Sequence, residues 1–301
     1  MTAVRHAAAW CALALVLALG ARVVHTQTRY ASGQTIAAVF EGWERRADGS
    51  FDMVFGYMNR NYEESLDIPA GPNNRLEPGE PDRGQPTHFF PRRQQFMFKV
   101  RVPKDWGEKD LVWTLTHRGH TEKAYGTLKP FWEIDNSVYH QNRSGPGPQG
   151  AANTGPTITL VGPGARTVVV GAPLPLVVEV ADDGWPPPRA ARGGGGGTVT
   201  PESAARGRAA AMPPAVVPLP QNPIVQMAVR LEPGMRLGTI WVLHRRSGTG
   251  TVKFDPQKVA VVDGRASTAA VFSEPGQYVL RGYADDGILL DYVDVRVSVT
   301  R

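Results

Sequence analysis

Two Asp-Asp-Gly triplets, Asp182-Asp183-Gly184 and Asp285-Asp286-Gly287, each follow an alternating apolar run. Carboxylates at strand ends supply the hard oxygen ligands that Ca²⁺ takes, so Asp182, Asp183, Asp285 and Asp286 are candidate cation ligands. Asp-Gly is also an ordinary turn sequence, because Asp bonds the local backbone and Gly accepts positive φ. The turn reading is the stronger of the two. His117 and His120 flank Arg118-Gly119, and with His88 they would offer three imidazoles to zinc or copper. Without a Cys or a suitably spaced carboxylate beside them, two polar hairpin residues that happen to be histidines are the stronger reading.

A third set lies in residues 60–93, where Tyr62, Asn73, Asn74, Arg75, Arg83, His88, Phe89, Arg92 and Arg93 accumulate among six prolines. Flat aromatic faces beside planar hydrogen-bonding groups suit sugars, acidic polymers or a protein partner. The alternative is a loop that packs its own aromatics and caps the fold. Motifs for catalysis are missing: there is no Gly-x-Ser-x-Gly elbow, no His-Glu-x-x-His and no Walker-type loop. The run Gly193 to Gly197 lacks the Lys and the Ser or Thr that a phosphate loop needs beside it. No reaction is indicated.

The elements that would position these residues are strands. With 33 Gly and 26 Pro in 301 residues, turns are too frequent for long helices. Phe51, Met53, Phe55 and Tyr57 alternate, as do Phe96, Phe98, Val100 and Val102, then Leu111, Trp113 and Leu115. Period two marks strands that hide one face, and such sheets must pack on one another. Turns are expected at Asp48-Gly49, Lys104-Asp105-Trp106-Gly107 and Arg118-Gly119. A second strand-rich block opens at Thr157–Leu160 and Leu174–Val180. It closes in a half-buried hairpin, Tyr278 to Tyr283 and Val293 to Val299, around Asp285-Asp286-Gly287.

The expected organisation is all-β: two β-sandwich domains in tandem. Residues 1–27 read as a secretory signal peptide, with Arg5 and His6 ahead of an apolar run from Ala7 to Leu19 that is too short to span a bilayer. An amino-terminal sandwich fills 28–140, a Gly/Pro linker 141–155, and a second sandwich 156–301. The second carries a disordered low-complexity insert at 186–223, where periodicity is lost. Cleavage would remove Cys11, the sole cysteine, and with it any disulfide or cysteine ligand. No further stretch is long enough to cross a membrane. A net charge of +5, scattered along the chain, does not suggest nucleic acid.

The second block resembles the immunoglobulin-like domains of the PKD/cadherin-like kind found in bacterial surface proteins. Ser247-Gly248-Thr249-Gly250-Thr251-Val252-Lys253-Phe254, then Val271 to Arg281 through Pro275-Gly276, then Ala284-Asp285-Asp286-Gly287 and Asp294-Val295-Arg296-Val297 carry the likeness. It implies a sandwich with a core tyrosine at Tyr278, in modules that serve as spacers, adhesion units or binding units. The run from Phe40-Glu41-Gly42-Trp43 to Asn59-Arg60-Asn61 resembles uncharacterised secreted bacterial proteins and implies no activity.

The reading that follows is an exported, non-enzymatic binding or scaffolding protein of the bacterial envelope, periplasmic or extracellular. Its partner would be an envelope protein or polysaccharide. Apart from calcium no cofactor is expected. The alternative is an accessory or catalytic subunit of a periplasmic enzyme acting on carbohydrate or a redox partner.

Overall fold

The computed structural model describes residues 30–143, 153–184, 230–232 and 235–301. The expected leader, the insert at 186–223 and residues 144–152 of the expected linker lie outside the described residues.

In chain order the amino-terminal block runs β1 (Ile36–Arg45), β2 (Phe51–Asn59), β3 (Leu66–Asp67), β4 (Asn74–Glu77), β5 (His88–Phe89), β6 (Arg92–Val102), β7 (Leu111–His117) and β8 (His120–Gly126). Strands β1-β2-β6 form one antiparallel sheet, β4-β7-β8 a second, and β3-β5 a two-residue ribbon. Alternation along β2 turns Met53, Phe55 and Tyr57 into the core between the sheets. There Phe55 stacks on Phe98 at 5.4 Å and meets Trp113 edge-on at 6.0 Å. Arg118 and Gly119 both have positive φ, 51° and 77°. That is the two-residue hairpin turn whose twist matches the flanking strands.

Phe96 departs from the expected face. Phe98, Val100 and Val102 join the inter-sheet core, whereas Phe96 packs on the opposite side with Val54. The register between β2 and β6 slips between Phe55 and Tyr57, and Phe96 takes φ 54°. A bulge of this kind reverses the alternation behind it. Strand β2 is consequently buried on both faces. Its outer side is covered by α1 (Asn136–Arg143), whose Tyr139 lies 4.5 Å from the Phe96 ring. The strand reading does not anticipate this helix. Asp135 caps it, its Oδ1 accepting from the amides of Ser137 at 2.9 Å and Val138 at 3.2 Å.

The carboxy-terminal block continues with β9 (Thr157–Leu160), β10 (Ala165–Val169), β11 (Leu174–Ala181), β12 (Gly238–Arg246), β13 (Val252–Asp255), β14 (Lys258–Ala260), β15 (Arg265–Phe272), β16 (Gly276–Asp285) and β17 (Leu290–Thr300). One sheet has the order β13-β15-β11-β9, the other β10-β17-β16-β12-β14. Strands β9-β11-β15-β13 against β12-β16-β17 reproduce the ABED/CFG arrangement of the immunoglobulin fold, with β10 and β14 added at the edges. Two further marks agree. Trp241 on β12 is fully buried over Gly282, where an added Cβ would come within 2.8 Å of the indole. The Tyr278 hydroxyl donates to the Glu274 carbonyl at 2.8 Å, closing a tyrosine corner at the start of β16.

The second face of this sheet is not in solvent. Ile240 and Val242 of β12 and Tyr283 of β16 complete the amino-terminal core. The Met97 carbonyl accepts from Arg281 Nη1 at 2.7 Å and from the Tyr283 hydroxyl at 3.1 Å. The terminal hairpin, expected to be half buried, is therefore covered on both sides at its Arg281–Asp285 end. A polar-looking face becomes interior because its polar atoms find partners in the other block.

Candidate functional site

Residues 60–93 are ordered and tie the two blocks together. Thr87 donates its amide to the His244 carbonyl at 3.1 Å, and the amide of Arg246 donates to Thr87 Oγ1 at 3.1 Å. Arg245 Nη2 meets Asp82 at 2.6 Å. At the centre the Arg246 guanidinium grips Asp67 with two donors, Nε to Oδ1 at 2.9 Å and Nη2 to Oδ2. His88 Nδ1 reaches the same Asp67 Oδ1 at 2.9 Å. The β3-β5 ribbon sets this geometry, since Asp67 and His88 are cross-strand partners. Burial alone would raise the Asp67 carboxyl, but the hydrogen bonds from His88 and Arg246 outweigh it and hold it below the usual carboxylate range. The remaining Arg246 donor, Nη1, is taken by the carbonyls of Thr249 and Gly250 at 2.8 and 2.7 Å.

Two clefts flank this clamp. One, of about 580 Å³, lies between the excursion and β12, β16 and β17, and includes Asp67, Asp82, Arg245, Arg246, Gln277 and Arg296. The other, of about 500 Å³, is lined by Ser65, His88, Phe90, Leu243, Arg246, Thr251, Val252, Lys253, Phe254 and Gln257. Both volumes fall in the range of small-ligand sites. A smaller hollow of about 350 Å³ beside β9 and β11 holds Glu179 and Arg265, which pair with each other at 2.6 Å.

The sequence-derived candidates are not gathered in one place. His88 faces a cleft of the clamp. Phe89 is fully buried, 5.0 Å from the Tyr57 ring and 6.3 Å from Trp113. Asn74 is also fully buried, donating to the carbonyls of Ile68 and Pro86 and accepting from the Trp113 indole at 3.0 Å. Neither side chain reaches a surface. Arg92 is buried with its guanidinium 3.9 Å over Tyr62 and Nη1 on the Arg60 carbonyl. Asn73 and Arg75 sit at the β4 end, Arg75 bonded to Glu77 and the Pro72 carbonyl.

Three of the four aspartates act as turn acceptors. Asp182 accepts the Gly184 amide, Asp285 the Gly287 amide, and Asp286 the amides of Ile288 and Leu289. The other oxygens of two of them are drawn into the seam: Asp285 pairs with Arg143 at 2.5 Å and Asp286 accepts from Asn153 at 2.8 Å. Asp183 accepts the Thr154 amide, and Asp182 Oδ1 is buried without a hydrogen-bond partner among the described residues. Among the described residues no group of three or more His, Cys, Asp or Glu is placed to hold a metal ion. His117 and His120 face each other across the β7-β8 turn, while His88 belongs to the separate β3-β5 ribbon.

Asp67, Arg246, Lys253, Phe90 and Phe254 are the site residues that sequence reasoning missed. Asp67 and Arg246 are 179 positions apart, and no periodicity joins such a pair. Only Arg245-Arg246, beside the Ser247-Gly248-Thr249-Gly250 turn, stands out as a local signal. Ser65 shares a cleft with His88, which is bonded to Asp67, yet no hydrogen bond joins Ser65 to His88. The nucleophile–base contact of a Ser-His-Asp relay is thus not formed. What the arrangement offers is a fixed, mixed polar and aromatic wall.

No protein-family model matches the chain, and no curated protein does. Among solved structures it is similar to the Yersinia pseudotuberculosis adhesin InvE, at 8% identity over 87% of this chain and 58% of that one, with a TM-score of 0.25. It is similar too to the D0-D1 domain of intimin, at 9% identity over 87% and 97%, TM-score 0.23. Domains 4 and 5 of the S-layer protein SbsC give 9% over 89% and 98%, also at 0.23. Superpositions this loose carry no argument, and the immunoglobulin-like assignment rests on strand order, the buried Trp241 and the Tyr278 corner.

Proposed function

We propose that the chain is an exported binding or scaffolding protein of the bacterial cell envelope, without catalytic activity, and that it holds its partner at the junction of the two sandwiches. One observation carries the reading. The clefts are built by side chains from both blocks, and the Asp67–His88–Arg246 clamp fixes the wall between them. Preorganised walls of this kind lower the entropy cost of binding. Export rests on the apolar run from Ala7 to Leu19 behind Arg5. No helix among the described residues is long and apolar enough to cross a membrane.

The test is co-sedimentation of the purified chain with isolated bacterial envelopes. Retention should be saturable and should fall by about tenfold or more when Phe90 and Phe254 are changed to Ser, as expected for loss of roughly 1.4 kcal/mol or more of binding. Retention that is equal in the variant overturns the junction as the binding surface. Absence of any retention overturns the binding role.

A further inference from the structure

The two clefts beside the clamp differ in charge. The larger includes two carboxylates, Asp67 and Asp82, to set against its arginines. No carboxylate lines the smaller one. Lys253 of β13 lines it, exposed and without an ion-pair partner among the described residues, while its neighbours Val252 and Phe254 pack in part on the carboxy-terminal core. Arg246 is spent on Asp67, so one ammonium is left for a ligand. Next to it stand neutral hydrogen-bonding groups. With Nδ1 held by Asp67, His88 keeps Nε2 without a partner among the described residues. Gln257 donates Nε2 to the Trp241 carbonyl at 3.2 Å, which leaves its Oε1 to accept. Half-buried Phe90 and Phe254 add apolar ring faces, Phe90 standing perpendicular to His88 at 4.9 Å.

Single charge, several neutral hydrogen-bonding groups and aromatic faces select a particular ligand chemistry. A phosphate would draw on forked arginines or a helix N-terminus, and the cleft presents neither. A peptide rich in carboxylates brings a partner for Lys253 but no apolar ring face for the phenyl rings. A sugar ring has apolar C–H faces for the phenyl rings, hydroxyls for His88 and Gln257, and, when oxidised at its terminal carbon, one carboxylate for Lys253. We infer that the 500 Å³ cleft binds an acidic saccharide, a pyranose ring carrying a single carboxylate, as a unit of an envelope or matrix polymer. This rests on the junction being the binding surface, and it names the ligand of that surface.

The probe is oligogalacturonate, compared by titration calorimetry with a neutral oligogalactose of equal length and with oligoglutamate. Oligogalacturonate should bind at least about tenfold more tightly than either, a difference of roughly 1.4 kcal/mol. Lys253→Met should remove that preference and flatten the dependence on salt, while Lys104→Met, at an exposed turn of the other block, should change neither. Because Lys253 is exposed, its variant keeps the wild-type melting temperature and the comparison is of folded proteins. Equal binding of the neutral sugar, equal binding of oligoglutamate, or an unaltered Lys253→Met variant each overturns the inference. If envelopes are retained through the Phe90 and Phe254 surface but oligogalacturonate is not bound, the saccharide inference fails and the binding role stands. If neither is bound, both fail.

Discussion

Phe89 shows how an aromatic in a proline-rich, aperiodic segment can be interior. Nothing near it in sequence marks it as core, because its neighbours Tyr57 and Trp113 lie on other strands. Phe89→Ala should cost about 3–5 kcal/mol by denaturant unfolding, the usual penalty for emptying a buried aromatic site. Arg75→Ala, half exposed at the β4 turn, should stay within about 0.5 kcal/mol. His244 carries a second expectation. Burial, with the charge of Arg281 as a lesser cause, pushes its imidazole from 6.5 down to about 3, and the neutral ring reaches the Gly84 carbonyl at 2.9 Å. Below pH 6.5 the unfolded chain takes up a proton that the folded chain refuses. Its contribution is therefore complete above 6.5 and is lost as the pH falls toward 3, at up to about 1.4 kcal/mol per pH unit. The His244→Gln variant should lose that slope in urea titrations at pH 4 to 7. Asp67 and Asp82, both held below the usual carboxylate range, contribute at a lower pH. His117, lowered by burial, and Glu41 and Asp286, raised by burial, also titrate in this window, so the His244 share is read as the difference between wild type and variant.

At the scale of elements, alternation made β2, β7, β9, β11, β16 and β17 legible, since each hides a regular apolar face. What alternation could not show is the destination of the opposite face. Arg281 and Tyr283 look solvent-bound in sequence, yet both end on the Met97 carbonyl. The slip at Phe96 is equally silent, because a bulge leaves no mark in composition. By residue type the excursion of 60–93 reads either as a recognition loop or as a cap that packs its own aromatics. In the fold it is mostly a clamp, and it reaches the two clefts through Ser65, Asp67, Asp82, His88 and Phe90. The Asp67–Arg246 pair should show this role in a double-mutant cycle with Asp67→Asn and Arg246→Gln. A coupling of roughly 0.5–3 kcal/mol is expected for residues in one hydrogen-bonded network, and a coupling near zero would make the pair incidental to the seam.

Over the whole molecule, the two sandwiches share part of their interior. The amino-terminal core takes Ile240, Val242 and Tyr283 from the other block, and a third cluster joins Val54, Phe96, Ile134 and Tyr139 to Ile288 and Leu289. Arg281, almost fully enclosed, is bound to Asp294 at 2.7 Å and lies 3.8 Å over Tyr292. Removing it empties the seam and takes one donor from the Met97 carbonyl, so Arg281→Leu should destabilise both blocks together. A binding surface made by both blocks keeps its shape only if they do not separate. Differential scanning calorimetry of the purified chain at pH 7.5 tests that most directly. One transition is expected, with calorimetric and van't Hoff enthalpies equal, as for a single cooperative unit. Two resolved transitions, of which Arg281→Leu shifts only the one belonging to its own sandwich, would contradict a shared interior and the fixed junction that depends on it.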